Sequence, residues 1–387
     1  MLAKCMKLRT PQIIVPAMWM LQTVESLNIA RLHRQHDVAI AVPARNEAQT
    51  ILGCLSALDF AATQTTLATI SIVVLVNNSN DATAAVARSF VPQAASVKVV
   101  EVELAPDDAH AGGARRAALD LCLAELPPAG ILMTTDADSR VEPSWITANL
   151  AEIEAGADAV AGVVAFDAEA RANLPELTTR GLEWRLAMLQ ARLVDLLDPL
   201  RHNPWPSHIW AWGASLSLTA AAYRQVGGLP SVPLAEDRAL AEAIERHDLC
   251  LRRSHAPVVY TSARRFGRAP GGFADLLSSY LDNPDTPCDA ALEPTAVLVR
   301  RLRWRARLRR SHASNAATTG APAAPSQAFA GFGAVWRQLE QQSPALGRRR
   351  LLPYELPAEV RRAERLIRWL TSGAARQGDS LPSALAA

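Results

Sequence analysis

The chain has 387 residues, 49% of them hydrophobic and 20% charged, and a formal net charge of +2. That balance is ordinary for a globular protein, and the net charge by itself points to no partner. No apolar run reaches the roughly 18 residues of a membrane-spanning helix. Five scattered cysteines without C-x-x-C spacing point away from a zinc site or a disulfide framework and toward reduced thiols in the cytoplasm.

Residues 1–36 read as an N-terminal extension. The apolar stretch from Ile13 to Leu21 is short, contains Pro16 and lacks a small-residue cleavage site, so it does not read as a signal peptide. From Val38 onward, strand and helix signals alternate. Val38 to Val42 is a strand stopped by Pro43, and a helix runs from Glu47 to about Leu58. Ser71 to Val76 is a second buried strand, Ala82 to Phe90 a helix, and Val97 to Val102 a third strand. Gly112-Gly113 opens an alanine-rich helix reaching Leu126. Ile131 to Thr135 is a fourth strand, Ser144 to Ala155 a helix, and Ala159 to Ala165 a fifth strand. Residues 166–202 look helical until Asn203-Pro204-Trp205-Pro206 interrupts them. Trp210 to Leu218 reads as a strand, followed by a helix ending at Gly227-Gly228. Glu236-Asp237 opens another helix, where the dipole favours acids, and Pro257 to Thr261 is a late strand.

Short apolar strands alternating with helices predict an α/β domain with a mostly parallel sheet covered on both faces. Ligands of such sheets sit beyond the carboxyl ends of the strands. Three polar clusters lie there: Pro43-Ala44-Arg45-Asn46-Glu47, Asn77-Asn78-Ser79 and Asp136-Ala137-Asp138. No G-x-G-x-x-G or G-x-x-x-x-G-K-[ST] stands after a strand, so dinucleotide-binding and P-loop readings lose their main support. Two carboxylates one residue apart at a strand exit suit a hard divalent cation, Mn²⁺ or Mg²⁺, held against a diphosphate. Taken alone, Asp136-Ala137-Asp138 is also compatible with a capped turn after a strand.

With these pieces in order, the chain resembles the family 2 glycosyltransferases, which have the GT-A fold. The matching segments are Val42 to Glu47, Val76 to Ser79, Gly112-Gly113-Ala114-Arg115, Asp136-Ala137-Asp138, Gly213-Ala214-Ser215, Val226 to Leu229 and Glu236-Asp237. They span roughly residues 37–270, which gives a GT-A domain over 37–290 and a C-terminal extension over 291–387. The resemblance implies a nucleotide-sugar site built from Pro43, Ala44, Arg45, Glu47, Asn77, Gly113, Arg115, Asp136 and Ala137, with metal on Asp138 and Asp136. It implies that Asp237, beside Glu236, is the general base on the acceptor hydroxyl of an inverting enzyme. His255 is a further candidate ligand, imidazole being acceptable to Mn²⁺, although a surface histidine reads as well. Trp212, Gly213, Ala214, Arg265 and Arg268 are assigned to the acceptor or diphosphate side, Arg264 stands with Arg265 and Arg268 where a basic partner for the leaving diphosphate would be useful, and Trp205, Trp210 and Trp212 are assigned to an acceptor wall or to ordinary packing.

Two departures modify the expectation. Asn77 and Asn78 stand where the family carries acids, so base preference is open. The Q-x-x-R-W signature of processive synthases is absent, which argues for transfer of one sugar to a saccharide, lipid or small-molecule hydroxyl.

Residues 300–310 hold seven arginines in eleven positions. The charges alternate with Leu302, Trp304, Ala306 and Leu308, which segregates them in an extended segment but scatters them on a helix. This segment is read as solvated, or as contacting an anionic membrane from the cytoplasmic side; no nucleic-acid substrate is expected. Ser311 to Ala330 reads as a linker, and Phe332 to Leu370 as one or two amphipathic helices. Two other functions compete with the transferase. One is a sugar-phosphate nucleotidyltransferase, which would consume a nucleoside triphosphate. The other is a non-catalytic binding protein working through residues 300–310.

Overall fold

A computed structural model describes residues 36–66, 68–166, 181–265, 267–268, 272–319 and 331–372. The N-terminal extension up to residue 35, most of the expected 311–330 linker and the last fifteen positions lie outside the described residues. One eight-stranded sheet runs through the molecule in the order β3-β2-β1-β4-β7-β6-β8-β5. Its strands are β1 (His36–Ala44), β2 (Ala68–Asn77), β3 (Ser96–Val102), β4 (Ile131–Thr134), β5 (Arg140–Val141), β6 (Ala159–Ala165), β7 (Leu216–Thr219) and β8 (Leu251–Tyr260).

The left half is parallel: β1 pairs with both β2 and β4, and β2 with β3. β7 then enters antiparallel between β4 and β6, β6 and β8 are parallel, and β5 caps the edge antiparallel to β8. The expected mostly parallel sheet is borne out: six of its eight strands run one way, and only β5 and β7 are reversed. The two-residue β5 is too short to leave a pattern in the sequence.

Continuous apolar strands make sense because both faces of the sheet are covered. Alternate side chains go to opposite sides. Val38, Ile40 and Val42 join Ile72, Val74, Ile131 and Met133 in one core, sealed by Ile51, Cys54, Leu55 and Leu58 of α1 (Ile51–Thr63) and by Trp145, Ile146 and Leu150 of α4 (Trp145–Glu154). Ala39, Ala41, Val73, Leu75 and Leu132 face the second core, closed by α3 (Ala111–Glu125) and α7 (Glu236–Arg246). The short helices α2 (Thr83–Arg88) and α6 (Ala220–Gln225) fill the crossovers after β2 and β7.

A third core lies apart from the sheet. Leu186, Ala187 and Leu193 of α5 (Gly181–Leu197) pack with Trp210, Cys288 and Leu292. They also meet Leu298, Val299 and Leu302 of α9 (Thr295–Thr319), and Val360, Ala363 and Leu366 of α11 (Leu356–Thr371). Between these elements lie α8 (Phe273–Asp282) and α10 (Phe332–Gln342). The core thus takes residues from both sides of the expected boundary at 290.

Three local expectations are corrected. Trp210 to Leu218 is not one strand: Trp212 leads into a 3-10 turn at Gly213–Ser215, and only Leu216–Thr219 pairs with neighbours. The arginine run is helical, and the helix continues through Thr319 into what reads as linker, because alanine-rich sequence favours helix. As expected of a helix, the charges spread over more than one face. Steps of two scatter around a helix, but every second member advances by four, so Arg301, Arg305 and Arg309 share one face. They turn inward: Arg301 pairs with Glu293 and Glu340, and Arg305 and Arg309 with Asp198.

Candidate active site

The loops after β1 and β2 are tied to each other. Asn46, in a left-handed conformation (φ 56°) that asparagine tolerates, donates its N–H to Ser79 Oγ at 3.0 Å and accepts from Asn80 N at 2.9 Å. Glu47 N–H donates to Thr83 Oγ1 at 2.8 Å. Asn78, also left-handed, accepts from Leu104 N and donates to Leu104 O, which pins the end of β2 to the segment after β3.

Beside these loops β4 ends and Asp136-Ala137-Asp138 begins. The resulting cleft is lined by Pro43, Ala44, Arg45, Glu47, Asn77, Arg115, Asp136, Ala137, Asp138 and Arg268, all of them singled out in the sequence. His110, Thr261, Arg264 and Phe273 complete the walls. His110 also caps α3, its Nδ1 accepting from Gly113 N at 3.1 Å. Gly113 itself serves the backbone, since a Cβ there would meet Asp108 O at 2.1 Å.

Arg115 is the centre of the charge network. Its side chain is 6% exposed, yet it makes four hydrogen bonds: to Asp136 Oδ1 (2.7 Å), Gly213 O (2.9 Å), Thr134 Oγ1 (3.0 Å) and Glu236 Oε1 (3.1 Å). Burial works against its charge, but Asp136 and Glu236 outweigh that and raise its pKa further above the usual arginine value. Gly213 is required beside it, because a Cβ would lie 2.7 Å from the guanidinium carbon. The N–H of the same residue donates to Asp237 Oδ2 at 2.9 Å, and Asp237 Oδ1 accepts from Arg238 N at 2.7 Å. Asp136, Arg115, Gly213 and Asp237 therefore form one bonded chain between the cleft and the acidic pair. Burial, with the Glu236 charge second, raises the Asp237 carboxyl.

On the other side of the D-x-D, Arg264 grips Glu47 bidentately (2.8 and 2.5 Å) and lies 3.1 Å from Asp138 Oδ2. Asp138 is nevertheless pushed up to about 7, by burial first and then by the Asp136 charge. Asp136 and Asp138 are partly buried neighbours, each beside one arginine, and their oxygen donors suit a hard divalent cation. Among the described residues no group of three or more His, Cys, Asp or Glu side chains is placed to hold a metal. Asp136 and Asp138 are the carboxylates on the cleft that could hold such an ion.

Two candidates lie elsewhere. His255 sits in β8 where its register against β6 slips, between Arg253 and Val258, and among the described residues no group of three or more His, Cys, Asp or Glu side chains that includes it is placed to hold a metal. Its ring meets His208 edge-on, with centroids 5.4 Å apart, so the metal assignment is corrected. Arg265 turns outward to Asp282 (2.6 Å), and its neighbour Arg264 takes the place by the carboxylates. Trp210 and Trp212 stack at 4.9 Å, Trp184 extends the stack at 5.0 Å, and His208 lies against Trp212 at 5.8 Å. Trp205 stands apart from this stack, with Arg192 over its ring. Ala214 is buried in the first core.

A sheet of this order, with a cleft among the loops after β1, β2 and β4, is the GT-A architecture expected from the sequence. Residues 39–208 match the family model described as glycosyl transferase family 2. No curated protein matches the chain significantly. Similar solved structures include a mannosyltransferase from Pyrobaculum calidifontis in complex with GDP-Man and Mn²⁺, at 17% identity and TM-score 0.43, covering 88% of this chain and 89% of that one. Another is S. aureus TarS residues 1–349 with UDP, at 16% identity and TM-score 0.43, covering 89% and 93%. A third is glucosyl-3-phosphoglycerate synthase from Mycobacterium tuberculosis with Mn²⁺, UDP-Glc and phosphoglyceric acid, at 17% identity and TM-score 0.39, covering 67% and 82%.

Proposed function

We propose that the enzyme moves one sugar from a nucleotide-diphosphate donor to an acceptor hydroxyl with inversion, Asp237 serving as general base. The observation that carries this reading is the chain Asp136–Arg115–Gly213–Asp237, which ties the base to the donor cleft through a buried guanidinium and the backbone of one glycine. The acceptor O–H proton passes to an Asp237 carboxylate oxygen as the hydroxyl oxygen bonds the anomeric carbon. The bond from that carbon to the diphosphate oxygen breaks, and its electron pair leaves with the diphosphate. A raised carboxyl is the better base for a hydroxyl, since catalytic efficiency improves as the pKa nears the operating pH.

In this reading Asp138 and Asp136 hold a divalent cation, Mn²⁺ or Mg²⁺, which when bound neutralises charge on the leaving diphosphate. Arg264 and Arg268, both on the cleft, face the same departing group. Pro43, Ala44, Arg45 and Asn77 line the part of the cleft nearest β1 and β2, where the nucleoside is assigned.

The test is calorimetry with a panel of nucleoside diphosphates and nucleotide sugars, with Mn²⁺ and with chelator, alongside steady-state transfer. One base class binds in the presence of metal, and chelator or Asp138→Ala weakens it at least about tenfold. Asp237→Asn binds donor as the wild type does but loses about 10²–10⁴-fold in turnover. Absence of nucleotide binding across the panel would overturn the donor site. An Asp237→Asn enzyme of normal turnover would overturn the base.

A further inference from the structure

Beyond the transfer reaction, we propose that α9 is a docking surface for an anionic lipid bilayer, meeting it with the stripe Arg300, Arg303, Trp304 and Arg307. The helix Thr295–Thr319 contains no acidic residue. Three of its arginines are spent on the protein itself: Arg301, Arg305 and Arg309 face Glu293, Glu340 and Asp198. At about 100° per residue, Arg300, Arg303, Trp304 and Arg307 fall within an arc of roughly 100° on the opposite side. All four are exposed, Trp304 at 50%. Among the described residues Arg300, Arg303 and Arg307 make no ion pair, whereas the inward three are all paired. The outward charges are thus neither neutralised within the helix nor used to fold it.

The chemistry of the stripe favours a lipid surface. From Leu298 to Arg309 one side of α9 is held against the protein, by Leu298, Val299 and Leu302 in the third core and by Arg305 and Arg309 on Asp198, so over this stretch the other side faces outward. That is the pose of a helix resting in an interface, and it is unsuited to insertion in a nucleic-acid groove. A single indole flanked by guanidinium groups matches headgroup depth, where tryptophan is favoured and arginine finds phosphate. Single-stranded nucleic acid would instead call for successive aromatic platforms, and this face has one. Among the described residues no helix is long and apolar enough to cross a membrane, so the contact is peripheral.

The experiment is vesicle cosedimentation of the full chain, comparing phosphatidylcholine alone with phosphatidylcholine containing phosphatidylglycerol, at low and high salt. Binding is expected only to the anionic vesicles and is lost at high salt. Each basic residue at such a surface is worth about fivefold, so Arg303→Glu with Arg307→Glu weakens binding by at least about 25-fold. Trp304→Ser, a smaller change at an exposed site, also weakens it. Both variants retain donor binding and wild-type circular dichroism, which separates loss of docking from loss of fold. Equal binding to neutral vesicles, undiminished binding by the double variant, or binding of these residues to nucleic acid without vesicle binding would each overturn the proposal.

Discussion

At the residue scale, the site depends on one guanidinium and one glycine more than on any single carboxylate. Arg115 holds Asp136 and Glu236 together, and Gly213 carries that constraint to Asp237. A methyl group at position 213 would meet the guanidinium carbon at 2.7 Å. Gly213→Ala therefore has to move either Arg115 or the peptide. The expected result is a stability loss of about 1–3 kcal/mol from overpacking and a fall in kcat/KM approaching 10²-fold from misplacing the base. The pH profile carries the signature. The Gly213 N–H bond lowers the Asp237 pKa, so weakening it raises that pKa. The base then protonates at higher pH, and the acid limb of kcat/KM moves upward. A variant that loses stability with an unmoved limb would show that Gly213 does not position Asp237. The residues lining the cleft were legible in the sequence because they follow unmistakable apolar strands. The partnership of Arg115 with Glu236 was not, because the two are brought together only when α3 and α7 pack on the same face of the sheet.

At the element scale, α9 shows how a periodic signal can be misread. Alternating arginines argue for an extended segment, yet the residues four apart within that alternation make a basic inner face on a helix. Asp198 explains why the inner face is needed. It follows directly on the carboxyl end of α5, where a negative charge is disfavoured by the helix dipole, and its side chain is 3% exposed. Arg305 and Arg309 supply the compensation. Asp198→Ala leaves two guanidinium groups facing a buried apolar seam. Both are partly exposed, so the cost falls below that of breaking a fully buried pair, about 2 kcal/mol. Urea denaturation of the variant checks this: a midpoint shift equivalent to less than about 0.5 kcal/mol would mean the arginines are merely solvated there. The stretch from Trp210 to Leu218 misled for a related reason. Its alternation is that of a strand, but Trp210 and Trp212 stack on each other, and the chain must turn at Gly213 to reach Arg115.

At the scale of the whole molecule, the expected division at residue 290 separates a catalytic domain from an extension, and the third core bears on whether that division is physical. α5 arises between the strands of the sheet, inside the family-matched segment, but its apolar face is covered by α9 and α11 from the extension. Composition marks the change of character at about 290, since arginine-rich and alanine-rich sequence begins there. It carries no information about which earlier helix the later ones cover. A chain ending at 290 would leave Leu186, Leu193 and Trp210 facing solvent. Each large apolar side chain so uncovered forfeits about 1.5–3 kcal/mol, and the sum is comparable with the whole stability of a domain. The 1–290 protein is therefore expected to aggregate, or to bind a hydrophobic dye and melt well below the full chain. Co-expression of 291–387 should restore a soluble complex if the core is the only link lost. A monodisperse 1–290 protein that binds donor with wild-type affinity would instead establish 290 as a true boundary. It would also reduce the C-terminal helices to a detachable platform for the basic stripe on α9.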